Sequence, residues 1–121
     1  MKCRAFFGRC GDPRIRDAAN NLLNFLGFAV DEVFVYSRAG GIGNKKDLTE
    51  EIKFVQSELS PEAIILTSHQ DCKKGTGRDI LERSVTDIRD LFPCQTVRGF
   101  WIMLDGTWEE VLPIPQAAIA A

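Results

Sequence analysis

The sequence predicts one α/β domain: a three-layer open sheet, mostly parallel, ending in a C-terminal antiparallel edge hairpin. Three stretches with apolar residues at three-and-four spacing alternate with short apolar runs, the β-α-β pattern of a parallel sheet. One of those runs, Ala63-Ile64-Ile65-Leu66-Thr67, is almost wholly apolar, as a strand covered on both faces must be. The last two runs flank Asp105-Gly106, a favoured pair for a two-residue hairpin turn.

Each element can be justified in order. Cys3 to Gly8 is a compact apolar run that Gly11-Asp12-Pro13 closes as a turn, giving a first strand whose carboxyl end delivers Cys10. Apolar residues at 15, 18, 19, 22, 23 and 26 then mark one helical face, with Gly27 placed to end it. Val33-Phe34-Val35-Tyr36 is β-branched and aromatic, so it reads as the second strand, and the glycines of Ala39-Gly40-Gly41-Ile42-Gly43 permit close backbone approach after it. Leu48, Ile52, Val55 and Leu59 form a second helical face over 48–59, with Asp47 and Glu50 at the spacing of a capping arrangement. The strand at Ala63–Thr67 delivers His69. Leu81, Val85, Ile88 and Phe92 mark a third helix that Pro93 terminates. Thr96 to Leu104 is the fourth strand, and Thr107 to Leu112 returns antiparallel at the sheet edge. The tail at 113–121 is apolar but interrupted by Pro115, and is expected to cover a surface or contact a partner.

Composition sets the outer limits. The 121 residues allow one domain, 1–121, with 45% apolar and 26% charged residues as in a folded globular chain. A net charge of -2 leaves no overall attraction for nucleic acid or an anionic membrane. No run resembles a signal peptide or a membrane span, so a cytoplasmic protein is the expectation. The four cysteines, at 3, 10, 72 and 94, would pair as disulfides in an oxidising compartment; in a reducing one they are core residues or metal ligands.

His69 and Cys72 are three residues apart, so one turn can aim an imidazole and a thiolate at a single ion. Cys10 lies 59 residues before His69, at the carboxyl end of another expected strand, and strand ends of an open parallel sheet are where ligands bind. Two thiolates and an imidazole suit Zn2+. A fourth position then takes either water, whose pKa zinc lowers toward about 7, or Asp12. Arg14, two residues beyond Asp12, can hold that carboxylate in a fork and steer it away from the metal or onto hydroxide. Cys3 and Cys94 have no suitably placed partner and read as small buried hydrophobes.

These residues carry a family resemblance. Cys10-Gly11-Asp12-Pro13-Arg14 resembles the Cys-x-Asp-x-Arg signature of β-class carbonic anhydrases, and His69-Gln70-Asp71-Cys72 resembles their His-x-x-Cys. Ala39-Gly40-Gly41 is similar to their Ala-Gly segment, and Gly99 to Val111 to their closing strand and turn. The sequence departs at Ser37-Arg38, where the family usually has Arg-Asn, and at Ser68 and Lys73, where it usually has Gly. Lys73 brings a cation that would attract bicarbonate or alter the pKa of a metal-held water, or else is a solvated loop lysine. The resemblance is to a short member without the helices that usually precede the first strand.

The resemblance implies that Cys10, His69 and Cys72 bind zinc, and that Asp12 and Arg14 form the catalytic dyad. It implies reversible hydration of carbon dioxide to bicarbonate by hydroxide formed at the metal, a lyase activity, in a homodimer or higher homo-oligomer. Phe34, Trp101 and Trp108 either belong to an exposed apolar edge in such an assembly or are ordinary intrachain packing residues. Other readings stay open: a noncatalytic zinc-containing binding or assembly module closed by Asp12, a hydrolase of a related small carbon-sulfur substrate, or a metal-free α/β binding domain.

Overall fold

A computed structural model describes residues 3–112; the apolar tail expected to cover a surface lies outside the described residues. Five strands form one sheet in the order β2-β1-β3-β4-β5. They are β1 (Ala5–Cys10), β2 (Val33–Arg38), β3 (Ala63–His69), β4 (Thr96–Ile102) and β5 (Trp108–Val111). The first four pair in parallel, and β4 and β5 pair antiparallel at the edge.

The helices are α1 (Arg16–Phe25), α2 (Lys45–Leu59) and α3 (Arg78–Leu91). Alternation along the strands sorts the buried side chains into two clusters. Phe7 and Ile65 pack with Ala19, Leu22 and Leu23 of α1 on one face. Phe6, Ile64 and Leu66 pack with Ile52 and Val55 of α2 and Leu81, Val85 and Ile88 of α3 on the other. The sheet is therefore the middle of three layers, and all seven residues of β3 are buried, as its apolar run requires. Each fully buried large side chain of this kind stabilises the fold by roughly 1.5–3 kcal/mol in transfer terms.

Several boundaries differ from expectation for identifiable reasons. β1 runs on past Gly8 to Cys10 because β2 continues to pair with it, through Cys10 opposite Arg38. Helix α2 begins at Lys45, since the cap is Asn44, whose side chain accepts the Asp47 amide at 3.0 Å. The Asp47 and Glu50 pair lies within that helix rather than opening it. The hairpin loop is one residue longer than a two-residue turn: Met103 and Thr107 bond across it at 2.9 Å, and Gly106 adopts φ 93° behind a turn closed by Gly106 N to Met103 O at 3.0 Å. Cys94, expected in the core, is exposed. It sits in the turn after α3 where the Gln95 amide bonds back to Phe92 O at 3.0 Å, which carries it away from the helical face. Cys3 is only partly buried.

The three aromatics proposed for an exposed edge are engaged within the chain. Phe34 stacks on Phe6 at 5.9 Å and Trp108 tilts against Phe25 at 5.9 Å, while Trp101 packs on the α2 and α3 side of the core. Among the described residues no helix is long and apolar enough to cross a membrane.

Candidate metal centre

Adjacent parallel strands β1 and β3 end together, and that places Cys10 beside His69. The chain after β3 stays on the sheet for one more bond, Gln70 N to Ile102 O at 2.9 Å, and then turns. Asp71 takes the left-handed conformation there, φ 56°, so the turn folds back and returns Cys72 toward the strand ends. The ligand atoms of Cys10, His69 and Cys72 lie within 4.8 Å of one another, a group that could hold a metal ion.

Three features fit these side chains to a soft or borderline cation. Nδ1 of His69 lies 2.7 Å from the carbonyl oxygen of Gln70, which can only accept, so Nδ1 carries the proton. The lone pair is left on Nε2, which is buried without a hydrogen-bond partner on a residue only 1% exposed. An orphaned acceptor of this kind is costly unless something binds it. Burial pushes the Cys72 thiol up, but hydrogen bonds from the backbone amides of Thr76 and Lys74, with the Thr76 and Cys10 side chains, together lower its pKa overall, favouring the thiolate that metals bind. Two sulfurs and one imidazole nitrogen are a zinc donor set.

Ala39 and Gly40 line the floor of the cleft formed there, and Gly41 packs beneath them against the end of β1. A Cβ on Gly41 would lie 2.9 Å from the Cys10 backbone nitrogen, and Gly41 has φ 56°, so two independent constraints require glycine. The Thr76 hydroxyl donates to Gly40 O at 2.7 Å, tying this floor to the turn that carries Cys72.

Asp12 and Arg14 stand at the rim. The Asp12 carboxylate accepts the Arg14 backbone amide at 2.9 Å and the guanidinium through Nη2 at 2.8 Å and Nε at 3.1 Å. These bonds hold the carboxyl of Asp12 well below its usual range, to about 2, and Asp12 together with Asp71 raises the pKa of the Arg14 guanidinium. One oxygen, Oδ2, nevertheless remains 3.9 Å from His69 Nε2. Cys10, Asp12, His69 and Cys72 line one cleft of about 380 Å³, together with Gly11, Ala39, Gly40, Lys73 and Lys74.

All five residues singled out from the sequence thus meet in one place. Lys73 is the solvated loop lysine of the second expectation, with its side chain 79% exposed, and its amine pairs with Asp71 Oδ1 at 2.9 Å. Sequence reasoning missed Asp71 and Thr76. Asp71 occupies a variable position of His-x-x-Cys, and its reach depends on the left-handed turn, which spacing does not encode; Thr76 had only its proximity to the polar Lys73-Lys74-Gly75 loop as a signal.

No family model matches the sequence, and no curated protein matches it. Solved structures do. A carbonic anhydrase from Streptococcus mutans superposes with a TM-score of 0.65 at 20% identity, covering 91% of this chain and 82% of that one. The β-carbonic anhydrase isoform I of Trichomonas vaginalis gives 0.66 at 18% identity, over 93% and 85%. A tetrameric β-carbonic anhydrase from Sordaria macrospora gives 0.61 at 16% identity, over 92% and 82%. At these identities the likeness establishes architecture, and the chain has the fold of the β-carbonic anhydrases.

Proposed function

We propose that this chain is a zinc-dependent carbonic anhydrase, interconverting carbon dioxide and bicarbonate. The observation that carries the reading is the buried, unpartnered Nε2 of His69 facing Cys10 and Cys72, with the Asp12 carboxylate 3.9 Å away. Cys10, His69 and Cys72 would hold the ion. Zinc at that position supplies the Lewis acidity that makes water a nucleophile near neutral pH.

The protein's own groups divide the remaining work. Asp12, ionised at neutral pH, accepts a hydrogen bond from the attacking water and so fixes which lone pair faces the substrate carbon. Arg14 keeps that carboxylate in one orientation through a forked contact. Gly11, Ala39 and Gly40, which carry little or no side chain, leave room in the cleft that would admit a small uncharged molecule. Lys74, on the cleft wall, favours an anionic product.

Stopped-flow hydration of carbon dioxide by zinc-quantified protein, beside the same preparation carrying Asp12→Ala, tests this reading. Turnover by the native protein that collapses in the variant while zinc content stays equal supports it. Absence of turnover at full zinc occupancy across the neutral range sinks it. That outcome would instead favour a noncatalytic zinc module with Asp12 as fourth ligand, a reading that the 3.9 Å approach of Asp12 to His69 keeps in play.

We also propose a homo-oligomer in the cytoplasm, in line with the tetrameric Sordaria macrospora relative of the fold. Exposed Phe25, Phe54 and Leu91 offer apolar surface for such contacts.

A further inference from the structure

Arg14 is held from two sides, and only one of them is Asp12. Its Nη1 donates to Asp71 Oδ2 at 3.1 Å and its Nη2 donates to the Asp71 backbone oxygen at 3.1 Å. The guanidinium is therefore a bridge between the turn after β1 and the turn that carries His69 and Cys72. Asp71 in turn accepts from Lys73 Nζ at 2.9 Å, so the charges alternate in a chain: Lys73, Asp71, Arg14, Asp12.

We propose that Asp71 is a positioning residue: by anchoring the far side of the Arg14 guanidinium, it holds Arg14 on Asp12 and thereby fixes the orientation of the Asp12 carboxylate at the cleft. The inference deepens the proposed function and rests on it for its catalytic consequence, but the anchoring itself is a property of the chain alone. The geometry supports it in two ways. A guanidinium presents five donors, and a carboxylate can engage only one edge of it. Asp12 takes the edge formed by Nε and Nη2, and without Asp71 the opposite nitrogen Nη1 would be left to water, with the long side chain free to rotate. Asp71 also sits at φ 56°, a conformation in which aspartate, asparagine and glycine are the tolerated residues. That strained turn aims its carboxylate and its carbonyl oxygen at one guanidinium.

The backbone restricts the variants that make a clean test. Asp71→Asn keeps the side-chain shape and the left-handed preference but removes the charge. Asp71→Gly removes the side chain and keeps the turn, while leaving the carbonyl contact to Nη2. The direct readout is nitrogen-15 NMR of the Arg14 Nε–H, which points at Asp12 and whose exchange with water reports how firmly that edge is held. In metal-free protein, exchange should rise by about fivefold in Asp71→Gly and by a smaller factor in Asp71→Asn, as expected for loss of one exposed charge-assisted contact. In zinc-loaded protein, Asp71→Asn should lower carbon dioxide hydration by about threefold to tenfold, and should have no further effect once Asp12→Ala is present, because the two act through one chain.

The two ideas fail separately. If Arg14 Nε–H exchange in both variants stays within twofold of the native protein, Asp71 does not anchor Arg14 and the inference is overturned whatever the activity. If exchange rises as expected but zinc-loaded native protein hydrates no carbon dioxide, the anchoring stands and the proposed function falls. If exchange rises but Asp71→Asn slows the Asp12→Ala background as much as the native one, Asp71 acts on the reaction by another route and the positioning role is overturned.

Discussion

His69 donates from Nδ1 to the carbonyl oxygen of its neighbour Gln70 at 2.7 Å, and this one bond commits the other ring nitrogen to whatever occupies the cleft. His69 is the last residue of β3, a strand buried along its whole length, and its ring is only 1% exposed, so packing and the bond to Gln70 hold the ring in one orientation. A histidine fixed in this way is a rigid ligand, and rigidity spares the conformational entropy of ordering it on binding.

Removing that ligand should therefore cost the metal before it costs the fold. Cys10→Ser and His69→Ala are each expected to purify with far less than one zinc per chain, and zinc should not protect either variant against thermal unfolding as it protects the native protein. Elemental analysis with melting curves, plus and minus chelator, checks this. Native-like zinc in either variant would remove that residue from the ligand set.

Asp12 should behave in the opposite way. Its carboxylate is engaged by Arg14 and not by His69, so Asp12→Ala is expected to keep zinc while lowering turnover by about 100-fold, the scale of a lost positioning contact. Side-by-side zinc quantification and stopped-flow hydration separate the two effects. Zinc lost along with turnover would make Asp12 a ligand instead.

What the sequence disclosed and what it hid follow from the range of the interactions concerned. Strand ends were legible because alternating apolar patterns mark where burial stops, and Cys10 and His69 each stand at such an end. Asp12 and Arg14 were legible because two residues on one turn have little freedom to miss each other. The anchoring of Arg14 by Asp71 joins residues 57 positions apart, and it depends on one positive φ that aspartate tolerates but does not announce. Cys94 misled for a related reason: its chemistry favours burial, but the turn it occupies decides its exposure. The helix cap moved from Asp47 to Asn44 because both residue types cap well, and only the observed bond from the Asp47 amide distinguishes them.

The edge hairpin should show a carboxylate-dependent acid sensitivity. Glu110 on β5 accepts from Arg98 Nε and Nη2 on β4, both at 2.8 Å, and this forked contact holds its carboxyl below the usual range despite partial burial. A depressed folded pKa means that the stabilisation is fully present above the unfolded carboxyl value of about 4.3 and is lost as the pH falls through the folded one. Both side chains are well exposed, so solvent screening limits the contribution to at most about 1 kcal/mol. Denaturant unfolding of native protein and Glu110→Gln should show the variant less stable at neutral pH, with the difference vanishing once the pH has fallen below the lowered folded value. A gap that persists unchanged into acid would assign the loss to packing rather than charge.

Gly41 tests whether the floor of the cleft is as intolerant as its geometry demands. An alanine there would hold a strained φ of 56° and bring its Cβ to 2.9 Å from the Cys10 backbone nitrogen. That contact is with backbone in a central strand, which cannot rotate away as a side chain would, so relief must come from moving Gly40-Gly41 or the end of β1. The first motion pulls on the Thr76 bond to Gly40, and the second displaces Cys10 itself. Gly41→Ala is thus expected to destabilise the protein by about 1–3 kcal/mol and to weaken zinc binding as well. The comparison that isolates the site is Gly75→Ala, also at positive φ, 78°, but with nothing within 4 Å of the added Cβ. It shares the backbone strain and lacks the collision. Denaturant unfolding with zinc titration of the two variants should show the larger loss of both stability and metal affinity in Gly41→Ala, and equal losses would mean that the close approach to Cys10 is not what requires glycine.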